Sequence, residues 1–88
     1  MSGSWSDKKV GELVDFSLEW KYRLNKGETI STSSWTVTGN LVISANTFGE
    51  SKSTIWVANG TPGYANLTNT IVTSEGRRYI ETRLLKII

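Results

Sequence analysis

The chain has 88 residues, so it forms one domain with a single small core and has no room for a cleft between lobes. It contains no Cys and no His, which excludes disulfides, zinc ribbons, haem ligation, thiol nucleophiles and His-dependent triads. Apolar residues make up 38%, too apolar for a disordered tail and too polar for a membrane span, and the net charge of +2 argues neither for nor against nucleic acid.

Ser and Thr together number 22, and they mix with Ile, Val, Trp and Tyr, residues that suit a pleated, half-buried surface. No window sustains a helical period, so the chain reads as all-β. Residues 1–11 read as a flexible N-terminal arm ahead of a domain over 12–88. The arm is small and polar, carries the adjacent pair Lys8 and Lys9, and ends at Gly11. It has no long apolar stretch, so no signal peptide is expected. Trp5 stands out there: it either folds back on the domain edge or anchors the arm in a neighbouring subunit, as Trp does at interface hot spots.

The first strand is expected near Val14–Tyr22, with Phe16, Leu18 and Trp20 on one face and Ser17, Glu19 and Lys21 on the other. Asn25-Lys26-Gly27-Glu28 turns the chain. In Thr29–Thr38, Ile30 has the opposite parity from Trp35 and Val37. If all three point inward, a bulge or break must fall in Ser31–Ser34. After Gly39-Asn40, Leu41–Ile43 is a short strand, followed by a weakly patterned stretch over 44–51. Ser53–Ala58 puts Ile55 and Val57 on one face and Trp56 on the other, where it is the aromatic residue expected at the surface.

Asn59-Gly60-Thr61-Pro62-Gly63 is the strongest turn signal. Beyond it Ala65, Leu67, Asn69 and Ile71 share a face. Ser74-Glu75-Gly76-Arg77 forms a hairpin turn that presents the basic pair Arg77 and Arg78. The last strand is apolar on both faces near its end, with Leu85 and Ile87 facing one way and Ile80, Leu84 and Ile88 the other. A strand covered on both sides reads in that way, which marks Leu84 and Ile88 as candidate contacts with another chain. Short strands with frequent turns in so small a chain predict an immunoglobulin-like or fibronectin-like β-sandwich of about seven strands, with an SH3-like or OB barrel as competitor.

No chemistry-bearing constellation appears. Gly60-Thr61-Pro62-Gly63 lacks the lysine and helix of a phosphate loop. Asp15 and Glu19, four apart on a strand, lie about 13 Å apart, too far for a retaining glycosidase pair. Catalytic, cofactor-binding and metal residues are therefore none. A carbohydrate platform requires Trp56 exposed beside tyrosines. A nucleic-acid barrel requires an exposed basic stripe with aromatics.

Taken in order, Val14–Trp20, Gly27-Glu28-Thr29-Ile30, Ser34-Trp35-Thr36-Val37, Trp56-Val57, Gly60-Thr61-Pro62-Gly63, Asn69–Ser74 and Gly76-Arg77 resemble the small tailed-bacteriophage virion proteins of the fiber-tail adaptor family. The resemblance covers residues 12–87. Asn59, Ala65 and Arg23 depart from the residues usual at those places. The resemblance implies an immunoglobulin-like sandwich built into the virion, made in the bacterial host cytoplasm and without catalysis. The virion layer does not follow from the resemblance; an adaptor at the tail or head-tail neck is the first expectation, with capsid decoration or cement as the alternative. Expected partners are other virion proteins and further copies of the chain, with no small-molecule substrate, nucleic acid or membrane. The candidate contact residues are Trp5, Lys8, Lys9, Trp56, Arg77, Arg78, Leu84 and Ile88.

Overall fold

A computed structural model describes residues 7–88. Six strands follow one another: β1 (Val14–Glu19), β2 (Ile30–Val37), β3 (Leu41–Phe48), β4 (Lys52–Asn59), β5 (Gly63–Thr73) and β6 (Arg78–Ile87). They form two antiparallel three-stranded sheets of order β1-β4-β3 and β2-β5-β6. The sheets bury their inner faces against each other as a sandwich does. Leu18, Ile55 and Val57 come from the first sheet, and Trp35, Leu67, Ile71 and Leu85 from the second. Trp20, just past β1, joins them at 2% exposure.

The alternation read from the sequence carries over into β1, β4, β5 and β6. The β2 irregularity also occurs. Its register against β5 shifts between Ile30 and Thr32, leaving Ser31 as the extra residue. Ile30 and Trp35 are consequently both buried, and Val37 packs against the core.

Among the described residues six strands form, where about seven were expected for the chain. Residues 20–29 are loop, so β1 stops at Glu19. The weakly patterned stretch is no separate element but the continuation of β3 to Phe48, broken by a register shift between Ile43 and Ala45. Among the described residues, the segment ahead of β1 contributes one parallel bridge, Lys8 to Ile87.

Two tight turns need glycine. Gly39 has φ +72° and a Cβ there would lie 2.8 Å from the Ala65 Cβ. Gly60 has φ +108° and a Cβ would meet Ile87 Cδ1 at 2.8 Å. Both hold loops hard against the end of β6 and its neighbour.

Asn69 ties the two layers together. Its Oδ1 accepts from Trp20 Nε1 at 2.9 Å and from Ser53 Oγ, and its Nδ2 donates to Ser33 Oγ at 2.9 Å and to Ser34 O at 2.8 Å. A buried amide is tolerated only with such partners.

Candidate protein-protein contact faces

Outside the core, the sandwich offers two sheet faces, a hairpin tip and the N-terminal segment. Trp56 projects from the outer face of the first sheet and remains 38% exposed. The ladder sets Asp15 on one side of it and Ala45 on the other. Val42, half-exposed, faces Ala58 on the same surface. This patch is apolar with an acidic neighbour. The tyrosines lie elsewhere: Tyr64 on β5, Tyr79 on β6 and Tyr22 in the loop after β1. The aromatic cluster that a carbohydrate platform requires is therefore not assembled at Trp56.

The outer face of the second sheet is more apolar. Tyr64, Ile80, Leu84 and Ile88 are all exposed, Tyr64 at 66% and Ile80 at 59%. Tyr64 pairs across with Lys86, Asn66 with Leu84 and Thr70 with Ile80. Leu84 and Ile88 thus sit on one surface as their parity implied. Tyr64, Ile80 and Val42 complete the two patches without having been singled out. Their signal was present in the alternation, since each has an outward parity beside buried neighbours.

Arg77 and Arg78, adjacent in sequence, part company in space. Arg78 is exposed on the outer face opposite Val72. Arg77 braces the hairpin: its Nε lies 3.8 Å from Glu28 Oε2, its Nη2 3.7 Å from Glu75, and its Nη1 donates to Tyr79 Oη at 3.3 Å. Glu28 is buried, with its carboxylate accepting from Thr73 Oγ1 and from the Asn25 N–H at 2.8 Å. The Thr73 hydroxyl first, then the Asn25 N–H, with Arg77 adding to them, hold the Glu28 carboxyl below the usual carboxylate range. Hydrogen bonding to Tyr79 chiefly, with Glu28 contributing, raises the Arg77 pKa.

Within the expected arm, Lys8 is fully buried. Its Nζ donates to Asn59 O at 2.6 Å and Lys9 O at 2.9 Å, and its backbone N–H donates to Lys86 O at 2.9 Å. It pins the segment to the β4–β5 turn and to β6, and its side chain presents nothing outward. Lys9 is exposed, its N–H bonded to Glu12 Oε1 at 2.7 Å. Trp5 lies outside the described residues.

A cavity of about 390 Å³ opens beside Trp20, between the loop after β1 and the middle of β6. Its charged groups engage one another: Arg83 meets Glu81 at 2.7 Å, and Arg23 lies 3.8 Å from Glu81 and stacks over Tyr79 at 4.5 Å. Among the described residues no three Asp or Glu side chains gather as metal ligands, and no helix is long and apolar enough to cross a membrane.

Over residues 8–86 the sequence matches the family described as Podophage GP4 fiber-tail adaptor protein gp77. The chain belongs to that family. No curated protein matches it. The matched span begins at the buried Lys8 and runs from β1 to the penultimate residue of β6, so the family covers the folded domain described above. Membership of this adaptor family gives the chain a structural role in a phage tail as a component of the virion, in contact with other virion proteins.

Proposed function

We propose that the chain is the connector between tail and fibre, joining two different virion proteins through the outer faces of its two sheets. The family match carries the phage-tail role. The placement of Trp56 with Val42 on one side of the sandwich, and of Tyr64, Ile80, Leu84 and Ile88 on the other, supports the two-sided reading. Exposed large apolar residues grouped in this way mark contact surfaces more often than idle ones. A sandwich is about 10 Å thick between sheets, so one domain presents both faces back to back without a linker. Arg78 and Lys9, both exposed, extend these surfaces, and Trp5 is kept as a proposed contact residue. The proposed role works by contact alone, and the charged groups beside the Trp20 cavity, Arg23, Glu81 and Arg83, engage one another.

The immunoglobulin-like type belongs to this proposal. The constant-type domain has sheets ordered A-B-E-D and C-F-G. Without strand A, the orders become B-E-D and C-F-G, which correspond to β1-β4-β3 and β2-β5-β6.

The test uses purified chain with the tail and fibre proteins. Trp56→Ala is expected to weaken one partner about 30-fold, the loss of a hot spot of about 2 kcal/mol, and to spare the other. Leu84→Asp is expected to do the reverse. Loss of both partners in each variant, with unchanged thermal melts, would contradict the two-faced arrangement.

A further inference from the structure

The edge of β6 has features that the two faces do not account for. β6 is the terminal strand of its sheet, and its register against β5 runs without a shift from Arg78 to Ile87. In an antiparallel strand, alternate residues direct both backbone groups to the same side. At the end of β6 the outward residues are identified by their partners: Lys86 O and Ile88 N and O bond to Lys8 and Val10. Ile80, Thr82 and Leu84 therefore aim their N–H and C=O groups at the same open edge. Among the described residues none of them has a backbone partner there, and Thr82 O is approached by Arg83 Nη1 at 3.3 Å.

The side chains along this stretch form a self-complementary series: Ile80, Glu81, Thr82, Arg83, Leu84. Reversed, it reads apolar, basic, Thr, acidic, apolar. We infer that this edge pairs antiparallel with the same edge of a second copy, about a two-fold axis at Thr82. Ile80 then faces Leu84 of the second copy, Thr82 faces Thr82, and Glu81 faces Arg83. The three facing pairs of outward residues exchange about six backbone hydrogen bonds. Glu81 and Arg83 fall in the closely spaced, non-hydrogen-bonded pairs, where opposite charges attract and like charges repel most strongly.

Charge fixes the register. Slipping by two residues in either direction sets Glu81 on Glu81 or Arg83 on Arg83. Slipping by one turns the outward groups of one strand against the side that the other uses for β5. Inward-pointing charges on an edge strand normally discourage pairing. Here they reject unmatched strands and accept this one. The pairing joins two sheets into one of six strands, order β2-β5-β6-β6-β5-β2, and leaves the outer faces of both sheets open. It also brings Ile80 of each copy beside Leu84 of the other, so the apolar patch runs across the seam.

The chain contains no cysteine, so single thiols can report the geometry. Across the two-fold, Thr82 Cα atoms lie about 5.5 Å apart, within disulfide reach. Thr68, hydrogen-bonded to Thr82 through its hydroxyl at 2.9 Å, is one strand further in and about 15 Å from its symmetry mate. Under mild oxidation the full-length Thr82→Cys variant is expected to form covalent dimers at least tenfold faster than Thr68→Cys. In sedimentation, the wild-type mass of 9.8 kDa is expected to double with concentration. Glu81→Arg or Arg83→Glu alone should abolish that doubling, and the two together should restore it. Equal cross-linking of the two thiols would overturn the inference. So would a chain that stays single at every concentration, which would leave the edge to residues 1–6 or to a strand of another protein. Single charge reversals without effect on the mass would overturn it too.

Discussion

Three buried polar side chains, Asn69, Glu28 and Lys8, join parts of this small sandwich that are distant in sequence. Asn69 sits where a Leu or Ile would be expected, yet its amide serves both layers through Trp20, Ser53, Ser33 and Ser34. Asn69→Leu keeps the branched shape, adds volume at a fully buried site and deprives those groups of a partner, at a cost of about 1–3 kcal/mol for each one left unsatisfied. The expected result is a clear fall in the urea midpoint with an unchanged slope. Glu28 behaves differently because it titrates. Its carboxyl lies lower in the folded chain than in the unfolded one, so its contribution is present at neutral pH and is lost as pH falls through the folded value. Glu19, lowered mainly by the Ser51 hydroxyl, works in the same direction. The wild-type melting temperature should fall between roughly pH 5 and pH 2. Glu28→Gln should melt lower than wild type at pH 7 and converge with it in acid. Parallel curves for the two proteins across that range would remove Glu28 from this role. Lys8 completes the set. Its long stem is buried while its ammonium reaches two carbonyls, an arrangement that joins the N-terminal segment to the turn after β4.

Among the elements, turn geometry decides as much as strand propensity. The β2–β3 turn at Gly39 combines φ +72° with a close approach to Ala65 on β5, so it sets the spacing between the first and second sheets at that end. Gly39→Ala adds both the left-handed backbone cost and an overlap, roughly 2–4 kcal/mol together. A drop of many degrees in the thermal midpoint is expected, and a midpoint within a degree or two of wild type would contradict the placement. The strands were legible in proportion to how cleanly one face is buried. β4 and β5 alternate throughout and could be read directly. The second half of β3 could not, because Ser44 to Phe48 is exposed along its length and pairs on one side only, so no alternation marks it. The bulge at Ser31 was legible from the parity of Ile30 against Trp35. The ion pair of Glu28 with Arg77 was not, since it joins two turns far apart in sequence. The burial of Lys8 was hidden for a similar reason: lysine beside lysine reads as solvated unless the chain path is known.

At the scale of the whole molecule, two apolar faces set back to back on one sandwich suit an adaptor. Several copies in one particle would let each contact be modest and still endure through effective concentration. The sequence placed Trp56, Leu84 and Ile88 outward, and it also grouped Arg77 and Arg78, which the fold separates into a structural brace and a rim charge. In the proposed arrangement each face of one sandwich meets a different protein. A cryo-electron-microscopy map of the phage tail tests it most directly. The expected map has this domain between tail and fibre, with Trp56 covered by one neighbour and Leu84 with Ile80 by the other. A map in which both faces of the domain look onto solvent, or both meet the same neighbouring protein, would contradict it.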